Sequence, residues 1–367
     1  MQIFLTKKLA EAMGIKPAPA NNSVDPLFSW TANWTNTFDR RKEDMVVMVN
    51  NATRFTVLIY GVKRNQFKDI EAKMTAAIRN TLLAMNLNME MVDDYLRQAG
   101  ELQWSANNDR KLTAWVNRKC LDAAFVAGRA ENESQGRMKY NDTLGRTVSR
   151  EPVNYSKGFA DSYVPAEKMT AALTELTGKP AYKYRAFELL VSLDLEIYKA
   201  VRRLIVPANI KFADFHKLLQ NVFGWENYHL HDFAVYDEKG QKLVARIVMS
   251  EEELDHDSGA VLEEGCKLSY YFPKHKYMLY TYDMGDCWDH KIELVRVIDE
   301  HNAESPYLLE AVGQTPPEDV GGVGGFIDFR EIMLNPDHPD YAETKKWAGY
   351  WSPDLWEWKS RPQVIHI

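Results

Sequence analysis

The amino-acid sequence predicts two α+β domains, of which the second contains a mainly antiparallel sheet with flanking helices. The chain has 367 residues, more than the roughly 250–300 at which a single core usually stops growing. Its net charge changes from about +5 over residues 1–180 to about −12 over residues 181–367, and all nine histidines lie in the second half. Period-two and helical patterns alternate in both halves. We therefore place a first domain at 1–165, a linker at 166–180 and a second domain at 181–367.

Composition bounds the class of protein. An apolar fraction of 45% with ten tryptophans is typical of a folded globular chain. No stretch approaches the roughly 18–20 apolar residues of a membrane helix, and the first apolar run is too short for a signal peptide. Cys120, Cys266 and Cys287 have neither the number of a disulfide framework nor the spacing of a zinc site. We expect a cytoplasmic protein that makes no membrane contact.

In the first half, residues 28–38 alternate between apolar and polar side chains, which predicts a strand with one buried face. The aromatic residues of that strand favour a core face over a platform for sugars or bases. Residues 45–61 predict a hairpin around Asn50. Apolar residues at helical spacing predict helices over residues 67–82 and 110–127, the second with Cys120 on its buried side.

In the second half, residues 187–197 give the clearest strand pattern of the chain. A helix follows from Phe212 and ends at Gly224, a residue type that commonly terminates helices. Further strands and helices complete an α+β domain. The strands are predicted at 229–236, 241–249, 277–283 and 290–297, and the helices at 326–334 and 341–347.

Four blocks of the second half occur in one order: "YKAVRRLIVPANIKFADFHKLLQNVFGWENYHLHDFAV", "YTYDMGDCWDHKIEL", "PPEDVGGVGGF" and "NPDHPDY". Together they resemble the plasmid pRiA4b ORF-3-like family. That resemblance implies a bacterial protein often carried as a passenger of plasmids, transposons and other mobile genetic elements, with no settled biochemical activity. In the first half, "MQIFLTKKLAEAMG", "RRKEDMVVMVNNATRFTVLIYGVK" and "NNDRKLTAWVN" resemble a second bacterial domain family without known function.

The segment "YTYDMGDCWDHKIEL", residues 280–294, places an acidic turn between two apolar runs. It predicts a β-hairpin in which a turn around Gly285 displays Asp286 and Asp289. His290 then points toward the apolar side of the sheet. The hairpin is therefore a candidate for a reaction centre, for a binding surface, or for a polar brace of the sheet.

The resemblance centres on Asp286, Trp288 and His290 of this hairpin. Relatives usually have another small or polar residue at the position of Cys287, so a Cys287–His290 dyad is not implied. Many relatives also carry a cysteine pair shortly before the "PPED" block, whereas "LLEAVGQTPPED" contains none. A metal site or disulfide built on that pair is absent from this chain.

Histidines suggest a metal site. His229 and His231 are two residues apart, so on a strand they face the same way. If the strand of His290 is a neighbour, three imidazoles converge near Asp286 and Asp289. Three histidines and a carboxylate are enough ligands for a divalent metal with an open position for water. The alternative is a structural polar network, because histidines on apolar faces usually satisfy buried hydrogen-bonding groups.

Arginines and acidic residues suggest contacts with a partner. Of Arg202 and Arg203, we expect one in an internal ion pair and the other available to an anionic partner. Glu318 and Asp319 precede a glycine-rich stretch and would repel phosphate. We expect these two carboxylates to cap the following helix or contact a partner, in preference to binding a cation.

The last candidate surface is aromatic. Trp347, Trp351, Trp356 and Trp358 lie in the tail "WAGYWSPDLWEW". Tryptophan is enriched at interface hot spots, although a segment packed over the sheet explains the same pattern. These tryptophans are therefore either a docking surface or part of the core.

Two functions follow from these features. The favoured hypothesis is a binding or adaptor protein with a macromolecular partner. The alternative is a metal-dependent hydrolase or nuclease that uses His229, His231, His290 and Asp286. We expect no cofactor under the first hypothesis and a divalent metal under the second. Nucleic-acid binding by the basic first half is not favoured, since its basic clusters, such as the one at residues 40–42, are short.

Overall fold

The computed structural model divides into two compact units, Met1–Lys183 and Tyr184–Ile367. Both units mix helices and strands, which confirms the α+β class predicted for each half. None of the helices in the described residues is long and apolar enough to cross a membrane. The structure describes residues 1–38, 41–133, 141–154, 161–254, 259–349, 351–352 and 359–366.

The first unit contains a five-stranded sheet of order β4-β3-β2-β1-β5. Strand β1 runs parallel to both β2 and β5, whereas β2, β3 and β4 are antiparallel. The strands are β1 (Gln2–Leu5), β2 (Ser29–Thr35), β3 (Met45–Asn50), β4 (Thr56–Tyr60) and β5 (Gln103–Ala106). The helices are α1 (Lys7–Met13), α2 (Ile70–Ala84), α3 (Met89–Ala99), α4 (Arg110–Glu133), α5 (Asn141–Arg150) and α6 (Pro165–Thr177).

The aromatic strand of the first unit is a core strand. Trp30 and Trp34 of β2 are buried in a cluster that also contains residues of α2 and α3, which confirms the core interpretation. Phe38 is exposed because the strand ends at Thr35, before the alternation does. Cys120 is buried on the side of α4 that faces the sheet, as predicted.

The stretch expected as a linker, residues 166–180, consists largely of helix α6. Pro165 stands in the first turn of this helix, and Gly178 ends it in the left-handed conformation. Met169 and Leu173 of α6 are fully buried in the core of the first unit. This stretch therefore belongs to the first unit, and the division between the units lies after Lys183.

The second unit is built on one sheet of order β10-β9-β8-β11-β12-β6-β7-β13-β14, in which β15 also pairs with β13. All pairings are antiparallel except that of β9 with β10. The strands are β6 (Tyr184–Asp194), β7 (Lys199–Pro207), β8 (His231–Tyr236), β9 (Leu243–Val248), β10 (Ala260–Leu262), β11 (Tyr277–Tyr282), β12 (Trp288–His301), β13 (Tyr307–Val312), β14 (Lys359–Ser360) and β15 (Gln363–Val364). The helices are α7 (Phe212–Phe223), α8 (Glu251–Leu254), α9 (Gly322–Leu334) and α10 (Tyr341–Trp347).

Most of the helical residues that are buried in the core of the second unit belong to α7. Phe212, Phe215 and Leu219 are fully buried together with side chains of β6, β8 and β11. Gly224 ends the helix at φ +78°, as the sequence predicts. This termination directs the chain from α7 toward β8, and the residues of that connection reach the hairpin of β11 and β12.

Candidate functional site

The order of the strands separates two of the predicted metal ligands. Strand β11 lies between β8 and β12, so that Tyr282 pairs with His231 and Tyr280 pairs with His290. The Tyr280 ring lies 6.0 Å from the His231 ring and 5.2 Å from the His290 ring, centroid to centroid. The prediction that both imidazoles face one metal is therefore wrong, because a tyrosine occupies the space between them.

His231 belongs to a buried polar network. Its Nε2 atom lies 2.9 Å from Oε2 of Glu263, and its ring stacks on His216 at a centroid distance of 3.5 Å. His216 Nδ1 in turn lies 2.8 Å from the Tyr280 hydroxyl, which also accepts a hydrogen bond from Gln220. Burial, followed by the neighbouring His231, lowers the pKa of His216 to about 3. His216 is thus neutral near pH 7 and braces the sheet against α7.

His290 and Trp288 also have structural positions. His290 is fully buried, with Nδ1 2.8 Å from the Trp288 carbonyl and Nε2 accepting a hydrogen bond from Trp225 Nε1 at 3.3 Å. Burial lowers the pKa of His290 to about 4. The Trp288 ring is buried and stacks on Trp225. These contacts correspond to the structural network that was the alternative to a metal.

The two acidic residues of the hairpin accept hydrogen bonds from within the second unit. Asp289 accepts a hydrogen bond from the Thr281 hydroxyl across the hairpin at 2.7 Å. Asp286 Oδ2 accepts one from the backbone N–H of Gly321 at 3.0 Å. A Cβ atom at Gly322, whose φ is +68°, would lie 2.8 Å from the Asp286 carbonyl oxygen. Glycine is therefore required where the loop before α9 meets the hairpin turn.

His229 lies outside β8 and meets a different set of carboxylates. Its Nε2 atom is 3.1 Å from Asp319 Oδ1, 3.5 Å from Asp283 Oδ2 and 3.8 Å from Glu318 Oε2. His229, Asp283 and Asp319 offer ligand atoms that all lie within 4.8 Å of one another, and no other His, Cys, Asp or Glu group in the described ranges does so. We call the four residues His229, Asp283, Glu318 and Asp319 the His229 cluster.

Local structure holds two of these carboxylates in place. Asp283 takes a left-handed conformation at the end of β11, and its Oδ1 accepts from the N–H of Gly285 at 2.8 Å. Glu318 Oε1 accepts from the N–H of Glu226 at 2.7 Å and from the Tyr282 hydroxyl at 3.1 Å. In both residues one oxygen is engaged by the protein, and the other faces His229.

The inner part of the cluster is poorly compensated. His229 Nε2 and Glu318 Oε2 are both buried and make no hydrogen bond. Burial is the largest influence on Glu318, and it raises the pKa of that carboxyl. Buried polar atoms without partners cost free energy and are uncommon in native proteins. The donor atoms of His229, Asp283 and Asp319 are of the types that could hold a metal ion.

Sequence reasoning did not identify Asp283 as part of a site. The signal was its position at the end of a strand, where an aspartate readily takes a left-handed conformation and directs its carboxylate back over the turn. The expectation that Glu318 or Asp319 caps the following helix is wrong. Helix α9 has Gly321 as its N-cap and receives no hydrogen bond from a capping side chain.

The two arginines are both engaged within the second unit. Arg202 is almost fully buried, and its guanidinium donates to the carbonyls of Val222, Val312 and Gly313. Burial lowers the pKa of Arg202 to about 10. The expectation that it contacts an anionic partner is therefore wrong, because its donors are directed into the protein.

Arg203 forms the expected internal ion pair. Its Nε donates to Glu188 Oε1 at 2.6 Å, and Arg296 Nε donates to Glu188 Oε2 at 2.6 Å. Burial opposes ionisation of Glu188, but the hydrogen bonds from Arg296 and Arg203 outweigh it and lower the pKa. Arg203 therefore contributes to the sheet rather than to a partner contact.

A cavity of about 520 Å³ adjoins the His229 cluster. Its lining includes three acidic residues, Glu226, Glu318 and Asp319, which we call the carboxylate rim, and two tryptophans, Trp347 and Trp351, which we call the aromatic wall. This size is within the range of small-molecule and side-chain pockets. The remaining lining residues are Arg202, Phe223, Gly224, Gln314, Thr315, Pro316, Pro317 and Ala348.

Two of the four tail tryptophans, Trp347 and Trp351, line the cavity, and Trp351 also packs against the core of the second unit. Trp351 packs against Phe326 and Phe329 of α9, and its indole N–H donates to the Thr315 carbonyl at 3.0 Å. Trp347 touches the Phe329 ring edge-on and is half exposed. Trp356 and Trp358 lie outside the described residues.

Both halves of the chain match known protein families. Residues 185–360 match the family described as plasmid pRiA4b ORF-3-like protein, and residues 2–168 match a domain family of unknown function. The uncharacterised protein y4hQ of Sinorhizobium fredii is 35% identical over 169 residues, which are 44% of this chain and 79% of that protein. A crystal structure of a protein of unknown function from Methanosarcina mazei Go1 is 32% identical, with 46% of this chain and 96% of that chain covered and a TM-score of 0.41.

Proposed function

The chain belongs to the plasmid pRiA4b ORF-3-like family through its second unit, and we propose, from the cavity described above, that it is a binding protein of the adaptor type. In this proposal the cavity beside the His229 cluster receives a basic group of a macromolecular partner. The observation that carries it is the combination of a carboxylate rim, Glu226, Glu318 and Asp319, with an aromatic wall, Trp347 and Trp351.

Charge supports a basic partner. The second half of the sequence has a net charge of about −12, and Asp319 is exposed at the rim, with 66% of its side-chain area accessible. Phosphate binding depends on clustered positive charge, whereas Arg202, a basic residue in the lining of the cavity, directs its donors to carbonyl oxygens. A guanidinium or ammonium group therefore suits the cavity better than a nucleic-acid backbone does.

The aromatic wall supports the same occupant. A cation over an indole face gains about 0.5–1 kcal/mol at exposed sites and more when it is desolvated. Trp347 presents about half of its surface, and Trp351 is held in place by its hydrogen bond to Thr315. A basic side chain can thus lie against an indole while its charged end meets Asp319 or Glu226.

The alternative of a metal-dependent hydrolase or nuclease was based on His229, His231, His290 and Asp286. The strand order separates His231 from His290, and Asp286 is hydrogen bonded to the loop before α9. That set of residues does not support hydrolysis. The association with mobile genetic elements belongs to the proposal as well, and what supports it is the plasmid in the name of the matching family.

Peptide binding to the full chain tests the proposed function. A short labelled Gly/Ser peptide carrying arginines is titrated by fluorescence anisotropy, and the same peptide carrying citrullines is the control for charge. We expect a preference for arginine that falls about tenfold in Asp319→Asn and in Trp347→Ala, the usual scale for losing a charge-assisted hydrogen bond or a cation–π contact.

Asp299→Asn is the matched control variant, because Asp299 is an exposed carboxylate on β12, paired with Arg185. It removes one negative charge from the same unit at a position that does not line the cavity. Equal loss of binding in Asp299→Asn and Asp319→Asn would mean that net charge alone attracts the peptide. Equal affinity for the arginine and citrulline peptides would also contradict the proposal.

A further inference from the structure

We propose that His229, Asp283 and Asp319, together with Glu318, form a site for one divalent metal ion. The site is separate from the set suggested by the sequence and shares only His229 with it. Imidazole nitrogen combined with carboxylate oxygen is a donor set that suits zinc and also manganese. The inference does not depend on the proposed peptide binding, since it rests on the distances around His229, although the two proposals share Glu318 and Asp319.

The distances within the cluster match a metal site. In a tetrahedral zinc site with bonds of about 2.1 Å, neighbouring ligand atoms are about 3.4 Å apart. His229 Nε2 lies 3.1 Å from Asp319 Oδ1, 3.5 Å from Asp283 Oδ2 and 3.8 Å from Glu318 Oε2. The ligand atoms of His229, Asp283 and Asp319 all lie within 4.8 Å of one another, so small movements of these side chains would place one ion in contact with all three, with Glu318 Oε2 beside the imidazole.

Buried polar atoms without hydrogen-bond partners support a cation at this site. His229 Nε2 is buried and has no hydrogen-bond partner although three carboxylates lie within 4 Å. Glu318 Oε2 is likewise buried and unpartnered. The Asp283 side chain is the most buried of the four, at 9% exposed, and its Oδ2 lies 3.5 Å from the imidazole Nε2. A metal ion satisfies these atoms simultaneously, which one proton on the imidazole does not.

The surrounding hydrogen bonds orient the ligand atoms in advance. The Tyr282 hydroxyl and the Glu226 N–H hold Glu318 Oε1, and the Gly285 N–H holds Asp283 Oδ1. Partners of this kind fix ligand orientation in metal sites. Each of these two carboxylates thereby directs its second oxygen to the centre of the cluster.

The site would join three segments that are distant in sequence. His229 precedes β8, Asp283 follows β11, and Glu318 with Asp319 belongs to the loop before α9. A bound ion would therefore fix one wall of the cavity. It would also occupy Glu318 and Asp319, the carboxylates proposed to receive a basic group, so metal and basic peptide are expected to compete.

Direct titration of the full chain with metal alone tests the site. Chelator-treated protein is titrated with zinc chloride, and separately with manganese chloride, by isothermal titration calorimetry. We expect one equivalent of zinc per chain, and at least a hundredfold weaker binding in His229→Ala. Asp283→Asn is expected to weaken binding by about tenfold or more, since it retains size but loses charge.

His338→Ala is the matched control, because His338 is a partly exposed histidine of the same unit. Its Nδ1 atom lies 3.8 Å from Oδ2 of Asp340. It should bind zinc like the unaltered chain. Circular dichroism establishes whether each variant is folded, and Glu318→Gln provides a second test if His229→Ala does not fold. Absence of stoichiometric binding by either metal would overturn the inference, and so would equal binding by His229→Ala and His338→Ala.

The outcomes for metal and peptide are distinguishable. Metal binding without peptide binding would support the site and reject the proposed function. Peptide binding without metal binding would support the proposed function and reject the metal site. Where both occur, zinc is expected to weaken arginine-peptide binding, and peptide affinity unaffected by saturating zinc would contradict the shared use of Asp319.

Discussion

His229 Nε2 and Asp319 Oδ1 are 3.1 Å apart, yet they form no hydrogen bond. The imidazole lies among three carboxylates, and the geometry of a direct bond to any of them is not met. In the proposed site, one cation between these atoms would satisfy both of them.

Metal is expected to raise thermal stability. A ligand that binds the folded chain in hundredfold excess over its dissociation constant adds about 2.7 kcal/mol to the free energy of unfolding. Differential scanning fluorimetry with and without zinc should show a higher Tm for the unaltered chain and for His338→Ala. The Tm of His229→Ala should not rise, and an equal rise in His229→Ala would assign the effect to another position.

The loop before α9 depends on a glycine. Gly322→Ala places a Cβ 2.8 Å from the Asp286 carbonyl oxygen at a φ of +68°, so the loop carrying Glu318 and Asp319 must move. We expect zinc affinity and arginine-peptide affinity to fall by about tenfold or more, on the scale of 1–3 kcal/mol for backbone strain. The matched control is Gly324→Ala, where a Cβ meets nothing within 4 Å. Calorimetry on both variants makes the comparison, and similar affinities in the two would contradict this role of Gly322.

Acid is expected to destabilise the second unit through two buried histidines. Burial lowers the pKa of His216 to about 3 and that of His290 to about 4. The unfolded chain, with histidine pKa near 6.5, binds more protons between these values, so stability present above pH 6.5 is lost as the pH falls toward 4. His290 alone corresponds to about 3 kcal/mol by pH 4.

Urea unfolding at pH 7 and pH 4.5 measures this loss. In His290→Gln the decrease between the two pH values should be smaller, because one proton-binding group is removed from the unfolded chain. His338→Ala, which alters a partly exposed histidine, should retain the full decrease. An identical decrease in His290→Gln and in the unaltered chain would show that His290 is not responsible.

Glu188 is expected to be the critical member of its ion triad. Its side chain is fully buried between Arg203 and Arg296, so Glu188→Ala leaves two guanidinium groups without their carboxylate. We expect a loss of about 2 kcal/mol in the free energy of unfolding, below the 3–5 kcal/mol typical of fully buried pairs because both arginines reach solvent. Chemical denaturation gives the value. Asp299→Asn, in an exposed pair with Arg185, should change it by less than about 0.5 kcal/mol, and equal losses would contradict the role of burial.

Local sequence patterns predict most of the helices and strands. Alternation in residues 187–197 predicts β6, and Gly224 predicts the end of α7. Both predictions succeed because a strand with one buried face and a helix end at a left-handed glycine are visible in residues close together in the sequence. The polar composition around Met169 and Leu173 predicts a linker, whereas the segment is a helix whose apolar side is buried by tertiary contacts that the local sequence does not specify.

The candidate site depended on topology that no local pattern specifies. The two-residue spacing of His229 and His231 predicts one face of a strand, but β8 begins at His231, and the two imidazoles have different partners. Placing β11 between β8 and β12 is a long-range choice, and it puts Tyr280 where a metal was expected. Glu318 and Asp319 were recognised as candidates, whereas their meeting with Asp283 required the folded hairpin.

Anomalous diffraction from zinc-soaked crystals of the full chain tests the cation site most directly. The expected result is one strong anomalous peak per chain, about 2 Å from His229 Nε2 and within bonding distance of Asp283 and Asp319 oxygens. No such peak should occur in crystals of His229→Ala. A cluster without anomalous density at saturating zinc, or a peak that persists in His229→Ala, would contradict the metal site.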